Sequence, residues 1–449
     1  NFKVMDFTTA GVLTPTNSRA DVLWNRAFVS INTANAIVEN AASAGVNEAL
    51  VAEARFFRAF NYFMLVQTFG GVPLDLGSGE LKFNETPMRK AVRNTVPEVY
   101  TRCIFPDLIY AIEKLPENPR LKGTVTKNVA SLFLSKAYLT YGWWLENPKD
   151  IPTYPECERI DPDGHNAQWY FQKAYDIAIE AIDNPGPYGL MDTYYDLNLA
   201  KNDRNKEQML WADHTQASEK YNEGSLTYGS GSSPDNFAVW MVTWNYTNIR
   251  SSIDTLWIDD KHKFNNDPNG EDLATSFMSS VQREAAQAYG RPWTRMAPPI
   301  GVFKKTFADK VHDSRYDGTF VTTFRGNWNK SSSASERNRT TLYNANNLTV
   351  KPGDAILTFL DYDPDPDSVK YVIYNPNNKT VPQPYCSRVG AAYMPGRSDY
   401  IIPVSGISRL RYPNLWKLGT YRTDHDINTS LGNPNAGLTR PFYIAKFSE

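Results

Sequence analysis

Trp24, Phe28, Ile31, Asn35 and Val38 follow one another at steps of four, three, four and three. That spacing traces one face of a 3.6-residue helix, which predicts a first amphipathic helix with this stripe turned inward. Asn35 interrupts the stripe, and a buried amide needs hydrogen-bond partners, so the residue is expected to tie the helix to a loop. A second helix carries Ala52, Phe56, Ala59, Phe60, Phe63 and Val66 on its inner face and stops at Gly70-Gly71. Two such helices in succession make a hairpin.

Thr95-Val96-Pro97-Glu98 has the form of a capping box and starts a third helix, with Val99, Cys103, Ile104, Leu108, Ile112 and Leu115 as its apolar positions. Pro106 lies inside it and is expected to kink it, because proline removes a backbone donor. A fourth helix begins near Thr126 and carries Val129, Phe133, Ala137 and Leu139 toward Trp143 and Trp144; a fifth runs from about Gln168 to Asp183. Alternation at about 30 to 45 residues is that of a degenerate tetratricopeptide-like solenoid, without the W-x-x-L-G-x-x-Y signature.

From about Pro185 onward the texture changes. Asn184-Pro185, Pro187-Tyr188-Gly189, Asp267-Pro268 and Asn375-Pro376 punctuate short segments. Tyr371-Val372-Ile373-Tyr374 and Asp399-Tyr400-Ile401-Ile402 are short enough to be minor strands. The expected fold class is mainly α, a helical repeat scaffold over residues 1–185 followed by a loop-rich, ligand-binding region over 186–449.

Charge adds an exclusion. Lys and Arg total 47 against 49 Asp and Glu, so no global field favours nucleic acid or anionic lipid. No run approaches the roughly 18 to 20 apolar residues of a membrane-spanning helix. Cys103, Cys157 and Cys386 are odd in number and far apart, which suggests neither a disulfide framework nor a zinc site.

Catalytic signatures are missing: there is no phosphate-binding loop, no H-E-x-x-H, no G-x-S-x-G and no close histidine pair among the five histidines. Asp361, Asp363, Asp365 and Asp367 alternate as in a calcium loop, yet Pro366 stands where the loop needs glycine and Val372 where it needs glutamate. They are taken as a solvated acidic loop, and no metal, cofactor or catalytic residue is assigned.

Aromatic residues make up 13% of the chain, and several lie outside the helical stripes. A sugar presents apolar C–H faces and a rim of hydroxyls, so its receptor pairs flat rings with hydrogen-bonding side chains. Trp240 and Trp244 are four residues apart, and Trp293 stands between Arg291 and Arg295. Trp240, Trp244, Trp293 and Arg295 are therefore ligand-binding candidates. Trp24 joins them because its position after a loop leaves room for a role at a binding edge, although its helical spacing favours a place in the core.

Glu53-Ala54-Arg55-Phe56-Phe57-Arg58-Ala59-Phe60-Asn61-Tyr62-Phe63, ending in Phe69-Gly70-Gly71-Val72-Pro73-Leu74, resembles the most distinctive motif of the SusD/RagB family. Val99-Tyr100, Asp107-Leu108, Ala111-Ile112, Leu115-Pro116, Thr126-Lys127 and Ala137-Tyr138-Leu139 are similar to its third and fourth helices in order and spacing. Asn32-Thr33-Ala34-Asn35, Arg291-Pro292-Trp293-Thr294-Arg295 and Asp309 to Asp317 extend the likeness. The stretch Arg440 to Glu449 is similar to the family's approach to its last helical pair, which is expected to lie beyond it.

The resemblance implies a surface lipoprotein of the outer membrane, held by an N-terminal lipid anchor that no residue here supplies. Such a protein captures an oligosaccharide without breaking a bond and hands it to a SusC-like TonB-dependent transporter, with no cofactor and no nucleic acid. Two alternatives stay open: a peptide-capturing or structural lid of the same transporter class, and a glycoside hydrolase using two loop carboxylates.

Overall fold

A computed structural model describes residues 20–76, 93–213, 242–251, 256–258, 278–290, 292, 296–343, 346, 348–371, 392–409, 411–419, 431 and 440–449. The chain divides into two compact units. The first holds the chain up to Leu190 with Lys206–Trp211 and Tyr443–Glu449; the second holds Met191–Asn205 and Ala212–Phe442.

The first unit is helical: α1 (Ala20–Asn40), α2 (Glu48–Phe69), α3, α4 (Lys127–Glu146) and α5 (Ala167–Asp183), each packed mainly on the one before it. α3 runs through Val96–Val99, Tyr100–Ile104 and Phe105–Lys114. This is the degenerate tetratricopeptide-like scaffold that the periodicity predicts. Among the described residues no helix is long and apolar enough to cross a membrane.

Local chemistry explains where the helices start. Asn47, Thr126 and Asn166 each accept a hydrogen bond from a backbone N–H in the first turn that follows. At α3 the capping box is complete: Thr95 Oγ1 accepts from the Glu98 N–H, and the Glu98 carboxylate accepts from the Thr95 N–H at 2.9 Å. These contacts satisfy donors that a helix leaves without partners.

Pro106 does not simply kink α3. The helix widens to a π-turn over Tyr100–Ile104, in which the Phe105 N–H reaches the Tyr100 carbonyl, and Pro106 then sits in the first turn of the next α segment. The wider turn absorbs the missing donor where an uninterrupted α-helix would lose one bond.

Gly70 and Gly71 end α2 for two reasons. Gly70 has φ +73°, and a Cβ there would lie 2.6 Å from the Tyr154 carbonyl oxygen; at Gly71 it would lie 2.0 Å from that of Asn94. The chain after α2 can pass these backbones only as glycine.

The core of this unit is aromatic. Phe56 is fully buried, and the Phe133 ring packs edge-on against it at 5.4 Å and against Phe60 at 5.3 Å. Full burial of a side chain of this size stabilises by about 1.5–3 kcal/mol. A polar centre interrupts the apolar packing: Arg58, only 6% exposed, pairs in a two-pronged geometry with Asp107 at 2.6 and 2.8 Å and donates to Asn35 Oδ1 at 2.9 Å. Asn35 in turn donates to the Asp75 carbonyl. Asn35 is the tether that its place on the stripe predicts, joining α1 to α2 and to the segment that follows it.

The strand Phe442–Lys446 pairs with Gln208–Ala212. In the second unit regular structure is short. A mixed five-stranded sheet runs Lys370–Tyr371, Ala392–Tyr393, Tyr400–Ile402, Ala355–Phe359, Thr323–Arg325. Tyr400–Ile402 lies parallel to Ala355–Phe359, and Thr323–Arg325 lies antiparallel to it with a register shift between Phe324 and Arg325. Trp244, Phe324, Trp328, Phe359, Tyr400 and Tyr412 form the core beside this sheet.

Candidate functional site

Within the second unit a cleft of about 650 Å³ is lined by Leu199, Lys201, Glu284, Ala286, Gln287, Ala288, Tyr289, Arg325, Gly326, Asn327, Asn329, Lys330, Pro352, Gly353 and Trp416. One wall is a turn. Lys351-Pro352-Gly353-Asp354 closes with the Asp354 N–H on the Lys351 carbonyl at 3.0 Å, and Gly353 takes φ +95°. Proline at the second position and glycine with positive φ at the third are what a type II turn requires. Gly353 N–H then donates to the Gly326 carbonyl at 2.7 Å, pinning the turn to the end of the neighbouring strand.

At that strand the register shift follows Phe324, and Arg325 emerges exposed while Phe324 stays buried. The unpaired residue of the shift, Ile356, lies on the partner strand, and pleat alternation after Phe324 turns Arg325 to the opposite face. Arg325 Nη1 donates to the Gly353 carbonyl at 3.0 Å, and its own carbonyl accepts from the Tyr289 hydroxyl at 3.1 Å. Burial, and then the nearby Glu284 carboxylate, hold the Tyr289 phenol far above its ordinary pKa, so this hydroxyl stays neutral.

Trp416 forms the other wall. It follows the short strand Asn414–Leu415, whose pairing with Phe320–Val321 leads to a Trp416 N–H bond to the Thr319 carbonyl at 2.7 Å. Tyr195 stacks on the indole with ring centroids 5.1 Å apart and planes 15° from parallel. The Trp416 Nε1–H is shielded from solvent and has no hydrogen-bond partner among the described residues. Gln287 holds this wall in place: its amide donates to the Trp416 carbonyl at 2.9 Å and the Asn198 carbonyl at 2.7 Å and accepts from the Ala200 N–H at 2.8 Å.

Arg440, 2% exposed, locks the same segments from behind, pairing with both Asp203 oxygens at 3.0 Å and donating to the carbonyls of Asn198, Lys417 and Gly419. The cleft is thus built on fixed backbone.

Glu284 is the single carboxylate among the described lining residues. Its oxygens are taken by Lys330 Nζ at 2.8 Å and Asn327 Nδ2 at 2.8 Å. The described lining residues therefore supply flat rings, amides and cations, and among them no facing pair of carboxylates.

Two of the tryptophans chosen from the sequence lie within the described residues, and neither lines this cleft. Trp244 is fully buried, edge-on to Phe324 at 5.5 Å and to Phe359 at 5.8 Å, so it is a core ring and has no face left for a ligand. Trp24 is half-buried between Phe28 at 4.8 Å and Phe69 at 5.3 Å, at the contact of α1 with α2. Trp240, Trp293 and Arg295 lie outside the described residues.

The sequence reading passed over Trp416, Tyr289 and Arg325. Trp416 sits among Leu415 and Leu418 with no spacing to mark it, and Arg325 meets the cleft only through the pairing of its three-residue strand with Ala355–Phe359. The acidic loop behaves as a solvated segment: Asp361, Asp363, Asp365 and Asp367 are exposed, Asp363 accepts from the Ser405 N–H, and Asp365 caps the turn that follows. Among the described residues no three acidic, histidine or cysteine side chains converge as a metal site.

A family model described as SusD-like, starch-binding and associating with the outer membrane, matches residues 3–139. SusD-like protein P2 of Formosa agariphila is 31% identical over 159 residues, which cover 33% of this chain and 31% of the relative. A SusD-like protein of Bacteroides ovatus is 28% identical over 194 residues, 42% of this chain and 31% of the relative. The match thus spans less than a third of the length of each of these relatives. A solved SusD superfamily structure from Parabacteroides distasonis aligns with a TM-score of 0.41 at 18% identity, covering 75% of this chain and 55% of that one.

Proposed function

We infer, from the premise that this chain belongs to the SusD/RagB family, that it captures an oligosaccharide at the outer-membrane surface and passes it unbroken to a SusC-like TonB-dependent transporter. The observation that carries the binding step is the cleft of the second unit, where Trp416 and Tyr289 stand among fixed amides and cations. Rings offer the C–H faces of a sugar a flat surface, and the exposed Asn329 and Arg325 offer its hydroxyls polar partners. The helical unit serves as scaffold, because stacked helix pairs present extended faces to a partner.

Trp416→Ala is expected to weaken oligosaccharide binding about tenfold, or about 1.4 kcal/mol, as measured by calorimetry. Trp416→Phe, which keeps a stacking ring and the contact with Tyr195, is expected to recover most of it. Equal affinities for all three proteins would move the site away from this cleft.

A further inference from the structure

The cleft carries an excess of positive charge. Lys201, Arg325 and Lys330 line it against the one described carboxylate, Glu284, and that carboxylate is already matched by Lys330 at 2.8 Å. Lys201 and Arg325 have no carboxylate partner among the described residues: Arg325 uses one N–H on the Gly353 carbonyl, and both side chains are exposed. Two acids close in sequence to lining residues have partners of their own. Asp354 accepts from the Lys351 N–H at 2.8 Å within its own turn, and Asp203 is held by Arg440.

A neutral sugar gains only ordinary hydrogen bonds from two cations that lack a carboxylate partner, whereas an anionic group gains charge-assisted hydrogen bonds from a guanidinium still holding most of its donors. Arg325 is also fixed rather than free to swing, by the bond to Gly353 and by the Tyr289 hydroxyl on its own backbone. A preorganised cation loses little conformational freedom when an anion arrives.

We propose that this cleft selects an anionic saccharide, one bearing a uronate carboxylate or a sulfate ester, with Lys201 and Arg325 as the groups that read the charge. The proposal rests on the reading of the cleft as a glycan site.

The test is calorimetric titration of the chain, at low and at moderate salt, with oligosaccharides in matched pairs. One pair is oligogalacturonides and their carboxyl-reduced counterparts; the other is sulfated galacto-oligosaccharides and their desulfated counterparts. The charged member of at least one pair is expected to bind tenfold or more tightly at about 20 mM salt, with the preference shrinking at about 300 mM as screening shortens the reach of the charges. Which pair shows it separates carboxylate from sulfate. Lys201→Gln with Arg325→Gln is expected to remove that preference, so that the charged member binds no more tightly than the neutral one.

Neutral members that bind as well as charged ones would overturn the charge selection and leave the glycan site standing. A preference that the double variant retains would place the charge reading elsewhere. No binding of either member of either pair, with the variant and parent alike, would overturn the glycan reading together with the proposal.

Discussion

Arg58→Ala is expected to destabilise the helical unit by about 3–5 kcal/mol, because it leaves the Asp107 carboxylate buried without its partner. The pair is closed on both sides: Arg58 makes two bonds to Asp107, and Arg55 Nη1 approaches the same carboxylate at only 3.6 Å from a more exposed position. Asn35 would also lose the donor that holds its oxygen, loosening α1. The loss is read as faster amide hydrogen exchange in α1, α2 and α3, which isolates this unit from the second one.

Replacing both partners by apolar side chains, Arg58→Met with Asp107→Leu, is expected to recover most of the loss, since a buried ion pair and a well-packed apolar pair are of similar worth. If Arg58→Ala alone left exchange in these helices unchanged, the pair would have to be solvated, which contradicts its burial.

Arg440→Ala is expected to cost the second unit a similar amount, about 3–5 kcal/mol. Asp203, with its side chain 5% exposed, would lose both charge-assisted bonds from Arg440, and three carbonyls would lose a donor. The consequence reaches the cleft, because the segments that Arg440 joins carry Leu199, Lys201 and Trp416. Oligosaccharide affinity is therefore expected to fall along with protection of the amides around residues 198–203 and 416–419. Loss of stability with binding intact would show that the latch supports the fold but not the site.

The helices were legible in the sequence because their signals are local. Periodicity set the inner faces of α1 and α2, and the Thr95–Glu98 capping box marked the start of α3 within four residues. Asn35 announced itself by breaking an apolar stripe. Arg58 did not, since a charged residue beside Phe56 and Ala59 has the same spacing whether it is solvated or buried against an aspartate 49 residues later.

The second unit depends on pairings between distant residues, such as Tyr400 with Leu357 in a parallel register, and no window of sequence carries that information. Its site follows the same rule. Aromatic content pointed to a ring-lined surface, but choosing Trp244 from its spacing picked a core ring, because spacing says nothing about which rings a sheet will cover. Trp416 reaches the cleft wall only through strand pairing and the Gln287 and Arg440 latches.

This chain is expected to bind an oligosaccharide and to leave it intact. The most direct test is calorimetric titration of the purified chain against a broad panel of neutral and anionic oligosaccharides, with chromatography of each mixture afterwards. The expected result is saturable binding of at least one class, with a dissociation constant at or below about 1 mM, equivalent to about −4 kcal/mol, and sugars recovered at their original length. Shortened products that disappear when a single Asp or Glu is substituted would contradict it, as would the absence of binding across the whole panel.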